Sequence, residues 1–457
     1  MNTDIKRSEN KMGTMPVGKL LVTMSLPMMA SMLVQALYNI VDSIFVARIC
    51  ENALTAVSLA FPIQTLMIGL GVGLGVGMNA VLSKSLGEKD AEKVTASAMN
   101  ALFMTLVNIA IFLLIGFFAI RPFYFSQTDN AEIVTFGVDY LTIICCFSTG
   151  IFFQVIFEKL LQSTGRTLES MFSQLIGAVT NLIFDPILIF GLLGFPKLGV
   201  KGAAIATVAG QFMGATAGLL LNIFRNPDIR FRIKGFRPSA PIIGEIYRVG
   251  LPSIIMQGVG SLMTYTMNQI LIVFSTTATA VFGVYFKLQS FVFMPLFGMN
   301  SGMIPIIAYN YGARNRKRMI DTIRVATVIA VSIMLVGLFV FEVFPSALFA
   351  LFDASDHMLE MGDLALRIIA IHFPIAAVCI VFGSTFQALG NGVYSLVVSL
   401  IRQVVVLLPA AFLLSRLGEV RFVWWAFPIA EVASLIVSVI CMVKIYKNVI
   451  SKVPEGA

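Results

Sequence analysis

Two carboxylates, Asp42 and Asp185, stand inside long apolar runs of this chain, where a charge is expensive. An ionised group at the middle of a bilayer costs about 3 kcal/mol on insertion scales, and far more on others, unless something compensates it. Gln35, Tyr38 and Asp42 follow one another at three- and four-residue spacing, so a helix puts them on one face. In the fifth apolar run Asn181 and Asp185 are one turn apart, and Pro186 removes the amide that would bond to the carbonyl of Leu182. That turn offers a carboxylate, an amide and a spare carbonyl, oxygen donors that suit a hard cation, while the same carboxylate can hold a proton. Two carboxylates close together in a low dielectric do not both ionise cheaply. If Asp42 and Asp185 converge on one water-accessible pocket, they must bind a proton or a cation, which is the chemistry of ion coupling. The alternative for the Asp42 face is a structural polar cluster that ties helices together.

The elements that would position these groups are membrane-spanning helices. The 457 residues are 58% hydrophobic and 12% charged, with a mean hydropathy of +0.90. Soluble domains sit near ~45–50% apolar and ~25% charged, so the composition indicates an integral membrane protein with no separate soluble catalytic domain. Twelve runs are long enough to span, at 18–47, 54–82, 95–120, 132–157, 168–193, 200–224, 245–274, 279–309, 320–350, 359–386, 394–415 and 423–446. None shows the short alternating pattern of a barrel strand, so the fold class is all-α. The first nineteen residues are polar and mixed in charge, which predicts that the first run stays as an anchor rather than being cleaved as a signal.

Of the 32 Lys and Arg, 23 flank the N-terminus, the even-numbered connections and the C-terminus, and six lie on the opposite side. This asymmetry predicts that both termini are cytoplasmic. The basic stretches Arg225–Arg237 and Arg314–Arg318 are then expected beside anionic lipid headgroups, and they require no nucleic acid. Five cysteines without paired spacing read as packing residues. His357, expected in a loop, and His372, expected in a helix, are too few and too scattered for a metal cluster or a His-based membrane enzyme.

The chain also repeats itself. Ser25-Leu26-Pro27 recurs as Gly250-Leu251-Pro252, Thr55-Ala56-Val57 as Thr279-Ala280-Val281, and Gln162-Ser163-Thr164-Gly165 as Gln387-Ala388-Leu389-Gly390, each about 225 residues on. The expected organisation is an N-lobe at 1–224, a cytoplasmic linker at 225–244 and a C-lobe at 245–457. An even number of helices per unit relates the two six-helix lobes by a pseudo-two-fold axis along the membrane normal. Lobes so arranged can rock between two openings. At the repeat offset Asp42 maps onto Met267 and Asp185 onto Ala410, so the acidic pair belongs to the first lobe alone. The second lobe holds Lys287, Arg402 and Glu431 within its runs, either as a buried ion-pair network or as a substrate-handling set. Alternating glycines Gly69, Gly71, Gly73, Gly75 and Gly77 read as close helix packing rather than a nucleotide loop. The 24 Met and 38 Phe suit a cavity that adapts to varied apolar guests.

Taken together, Ser25-Leu26-Pro27, Tyr38-Asn39-Ile40-Val41-Asp42, Gln162-Ser163-Thr164-Gly165, Asn181 to Pro186 and Gly199 to Gly202 resemble the multidrug and toxic compound extrusion (MATE) transporters over nearly the whole chain. Within that family the likeness is to the DinF/MepA-type bacterial branch, whose acidic pair lies in the N-lobe. The resemblance implies a monomeric antiporter of the bacterial cytoplasmic membrane that exports drugs and dyes. Inward flow of protons (favoured) or sodium would drive it, with no other cofactor. It implies ion coupling at Asp42, Asp185, Asn181 and Tyr38, with any sodium held by Asp42, Asn181 and Asp185. Gln35, Asn39, Thr207, Gln162, Met267, Lys287, Arg402 and Glu431 are the expected cavity residues, and Pro27 and Pro186 the expected hinges. A lipid-linked saccharide flippase of the wider superfamily is the alternative, and a strongly cationic cavity would mark it.

Overall fold

The computed structural model describes residues 10–232, 234–352 and 355–455, and every regular element among them is helical. Twelve long elements follow the twelve apolar runs: α1 Val17–Ala47, α2 Phe61–Gly87, α3 Ala91–Phe118, α4 as the pair Ala131–Cys146 and Thr149–Ser163, α5 Thr167–Phe190, and α6 Val200–Arg225. The second half repeats the order with α7 Ala240–Ile272, α8 Thr276–Gly312, α9 Arg316–Val343, α10 as the pair Asp356–Ala370 and Phe373–Ala388, α11 Gly392–Ser415, and α12 Ala426–Asn448. Nine straight elements among the described residues are long and apolar enough to span, and the two bent pairs make eleven. The twelfth, α7, is long enough at 33 residues, with polar side chains interspersed along it.

Helices in such a bundle are apolar on their outer faces as well as their inner ones, because the solvent outside is hydrocarbon. Phe117, Phe118, Phe224 and Val336 all point outward and are exposed. Helix ends are capped by the means the sequence offers. Asp90 accepts from the Lys93 amide at the start of α3, Asn315 from the Arg318 amide at the start of α9, and Ser275 from the Ala278 amide at the start of α8.

The structure breaks two runs that read as continuous. α4 bends by 46° between Cys146 and Thr149, and α10 by 48° between Ala370 and Phe373, at corresponding points of the repeat. In α10 the cause is visible: Pro374, in the first turn of the second segment, has no amide to continue the first. This reverses the expectation for the histidines. His357 lies in the first turn of a helix capped by Ser355, and His372 sits at the break.

The two halves meet at the end that carries both chain termini. There α1 lies along α8, where Gly298 and Gly302 leave room for the backbone of Met29 and Met24, and Ser25 Oγ donates to the Met299 carbonyl at 3.3 Å. Along α2 and α7 the glycines interlock: a Cβ on Gly73 would strike the Gly250 carbonyl, and one on Gly77 the Ile246 carbonyl. Gly87 and Gly312 make the tightest approach, each facing a carbonyl of the other half, on Tyr309 and Lys84. These are the close backbone contacts that small residues permit in a membrane.

A one-turn helix, Lys11–Thr14, seals the same end. Asn10 Nδ2 donates to the Thr164 carbonyl at 3.0 Å in the first half. On the other side Asn310 and Arg318 donate to the Met12 carbonyl at 3.1 and 3.0 Å. Arg318 also donates to the Met15 carbonyl at 2.7 Å. Toward the far end the two halves part and leave the cavity described below.

Gly312→Val is expected to force the two halves apart at the terminal end, since its side chain would occupy the space of the Lys84 carbonyl. The expected reading is a longer, broader spin-label distance between the ends of α2 and α8, with a lowered Tm. An unchanged distance distribution would show that this contact does not hold the end closed.

Candidate functional site

A cavity of about 1190 Å³ lies between the halves, lined by both of them. In the first half α1 supplies Gln35, Tyr38, Asn39 and Asp42 to its wall, one above another as the helical spacing requires. α5 supplies Asn181, and α6 supplies Thr207. Asp185 is fully buried directly behind Asp42, and the two carboxyls come within hydrogen-bonding range of each other. With its amide oriented by its neighbours, Asn181 donates Nδ2 to Asp185 Oδ2 at 3.1 Å and accepts from the Thr207 amide at 3.2 Å. One oxygen of each carboxyl, Asp42 Oδ1 and Asp185 Oδ1, has no partner among the described residues.

The small residues of α6 make this cluster possible. A Cβ on Gly210 would meet the Gly177 carbonyl and the Asn181 side chain, and one on Gly202 would meet the Leu188 carbonyl. α6 therefore lies flush against the turn of α5 that carries Asn181 and Asp185. Two carboxyls in contact inside such packing need a proton or a cation between them, because two like charges so close together do not both ionise cheaply. Tyr140, on the first segment of α4, closes the cluster and accepts from Gln64 Nε2 at 3.1 Å. Neither Tyr140 nor Gln64 was singled out from sequence. A tyrosine in an apolar run is a weak signal, and only the fold brings it beside Asp42.

A second polar group lies toward the closed end, on the second segment of α4. Glu158 accepts from Gln154 Nε2 at 3.0 Å and from Gln174 Nε2 at 2.7 Å. Lys159 Nζ donates to Gln162 Oε1 at 2.8 Å, and Gln162 Nε2 donates onward to Ser170 Oγ at 2.9 Å. Gly75 of α2 leaves the space that the lysine stem fills. The charge asymmetry counted Lys159 with a basic connection; it is buried instead, each of the two charges being held by amides rather than by the other. Sequence placed this Glu-Lys step just beyond the fourth apolar run, at 132–157, and so read it as part of a connection.

The second half contributes Arg402 and Glu431. Arg402 Nη1 lies 3.7 Å from Glu431 Oε2, with the arginine partly open to the cavity and the glutamate buried. Tyr285, His372 and Phe427 wall this corner, with Tyr285 and Phe427 5.8 Å apart edge to face and His372 6.3 Å from Phe427. His372 is fixed by its Nδ1 against the Ile369 carbonyl at 2.5 Å.

Three expected cavity residues stand elsewhere. Met267 is fully buried in the core of the second half, because the face of α7 that matches Asp42 turns toward its own lobe. Lys287 reaches away from the cavity, its ammonium 5.9 Å from the ring centre of Phe352. Gln162 lies beneath the cavity floor as the partner of Lys159. Pro27 and Pro186 sit inside helices that continue through them.

The MatE family model matches the chain twice, over residues 27–187 and 252–413, two segments whose starts are 225 residues apart. The chain is 27% identical over 417 residues to the multidrug export protein MepA of Staphylococcus haemolyticus (strain JCSC1435), covering 90% of each protein. It is 27% identical over 431 residues to MepA of Staphylococcus aureus (strain NCTC 8325 / PS 47), covering 91% of each. Among solved structures, the outward-facing conformation of a multidrug resistance MATE family transporter of the MOP superfamily superposes with a TM-score of 0.90 at 25% identity, over 96% of this chain and 99% of that one. A MOP superfamily transporter from Pyrococcus furiosus, described as having a binding pocket of reverse polarity, superposes with a TM-score of 0.89 at 25% identity, over 96% and 98%.

Gln174→Leu removes one of the two donors to Glu158 and should cost about 1.5–3 kcal/mol if the carboxylate stays charged. A clear drop in Tm is the expected reading. A Tm equal to wild type would mean that Glu158 does not depend on the amide.

Proposed function

The chain belongs to the MatE family of membrane transporters, and on that premise we propose that it is an antiporter that exports amphipathic cationic compounds, drugs and dyes among them, from the cell. The contact between the Asp42 and Asp185 carboxyls at the wall of the inter-lobe cavity carries this reading. When the pair holds a proton, the cavity wall is less negative and a cationic guest binds it less well. When the pair loses the proton, the site attracts the cation. Proton and substrate thus compete for the same charge, and each opening of the transporter exchanges one for the other.

Three further observations support the details. The basic end, where the two halves close on each other, is the cytoplasmic end by the distribution of Lys and Arg, so the cavity opens outward in this state. Asn181 sets its side-chain amide beside Asp185 and against Thr207. We read the coupling ion as a proton, because two carboxyls in contact can hold one between them without further ligands. The charged side chains of the cavity wall are Asp42, Glu158 and Glu431 against Lys159 and Arg402. A wall with this balance is not the strongly cationic one that a saccharide-phosphate flippase requires. One chain supplies the cavity lining described here, so the proposed exchange needs no second copy.

Asp42→Asn and Asp185→Asn are each expected to abolish ethidium efflux driven by an ion gradient in proteoliposomes, with expression and folding retained. In the wild type, an imposed proton gradient drives efflux and an imposed sodium gradient alone does not. Transport by both variants at the wild-type rate would remove the carboxyl pair from the coupling step. Drive by sodium alone would replace the proton with sodium.

A further inference from the structure

The second half of the cavity carries a cation that the coupling scheme does not use. Arg402 rises from a stretch of α11 that widens into a π-helical turn over Ile401–Leu407, a rare geometry that re-aims side chains and recurs at functional sites. Its guanidinium faces Glu431 through Nη1 at 3.7 Å, beyond hydrogen-bonding distance, and makes no hydrogen bond among the described residues. Glu431 Oε1 and the Tyr285 hydroxyl beside it are likewise without partners. A buried pair that serves packing closes its hydrogen bonds, because both ions have left water and need each other. This pair is held open at a cavity wall, with the Nε–Nη2 edge of the arginine free to donate. At the same corner Phe293 and Phe427 each lie 6.3 Å from the ring of His372, and both line the cavity as flat apolar surfaces suited to an aromatic ring.

We propose that Arg402 forms an anion-recognition site that takes the carboxylate of aromatic guests, which makes it the residue of the second half that distinguishes an acid from its ester. The two oxygens of a carboxylate match the Nε–Nη2 edge, and such a bidentate pair is stronger and more directional than a point-charge contact. Glu431 keeps the guanidinium in place from its other edge and limits how tightly an acid is held, which lets the guest leave. The Tyr285 hydroxyl is available as a donor to Glu431 when the arginine turns toward a guest. The inference rests on the export reading for its consequence, but the site itself is a matter of binding.

The test uses the purified full-length protein and two dyes with one fluorophore, rhodamine 110, a free carboxylic acid, and rhodamine 123, its methyl ester. Binding is read by fluorescence anisotropy, and the quantity is the ratio of acid to ester affinity. Arg402→Gln is expected to lower that ratio by about tenfold or more, the loss of a charge-assisted pair, and Arg402→Lys to lower it by less. Glu431→Gln is expected to raise the ratio above wild type, and this variant carries the test if Arg402→Gln fails to fold. Equal weakening of both dyes by Arg402→Gln, no binding of rhodamine 110 to the wild type, or an unchanged ratio in Glu431→Gln would overturn the proposal. Efflux of rhodamine 123 from proteoliposomes is measured in parallel. Its absence in the wild type would count against export and leave the binding result standing.

Discussion

Charge inside hydrocarbon is the constraint from which the arrangement of this protein follows. An apolar solvent offers nothing to an ionised side chain, so each intramembrane charge must be neutralised, paired or placed on a wet wall. The chain uses all three solutions at three levels of one cavity. Asp42 and Asp185 share their carboxyls, Glu158 and Lys159 are held by glutamine amides, and Arg402 and Glu431 stand opposite each other at a wall open to the cavity. The helices around these groups turn large apolar side chains outward, Phe117, Phe118, Phe224 and Val336 among them.

The glycines supply the complementary half of the design. Between lipid-covered helices no hydrophobic force favours contact, so association depends on how closely backbones approach. Gly202 and Gly210 bring α6 against the turn of α5 that bears Asn181 and Asp185, and without that approach Thr207 could not meet Asn181. Gly73, Gly77, Gly87 and Gly312 do the same between the halves at the terminal end. One set builds the site within a lobe, and the other makes a closure that can separate, because it consists of backbone contacts rather than interleaved large side chains.

The duplication gives the two halves one scaffold and different contents. Both bend their fourth helix, α4 by 46° and α10 by 48°, at matching positions. The bends serve different neighbours. In the first half the segment before the bend carries Tyr140 toward the acidic pair, and in the second half the bend itself sets His372 beside Phe427 and Glu431. A cavity whose two walls differ in charge can hold the two ends of one guest differently, which a symmetric dimer of one repeat could not do.

Much of this was written in the sequence by itself. Twelve apolar runs and their charge asymmetry give the helical membrane fold, because a bilayer permits few other spanning structures and the period of an apolar run is local information. Residues on one helix face, such as Gln35, Tyr38 and Asp42, were legible for the same reason, as was the one-turn relation of Asn181 to Asp185. What joins different helices was not. The contact of Asp42 with Asp185, the Gln64–Tyr140 bond beside it, the burial of Lys159 and the removal of Met267 and Lys287 from the cavity all depend on how each helix is rotated about its axis. That rotation is set by packing against neighbours, small residue against backbone, and an apolar run that is hydrophobic on every side carries almost no record of it. Tertiary structure alone decided which of the polar residues meet.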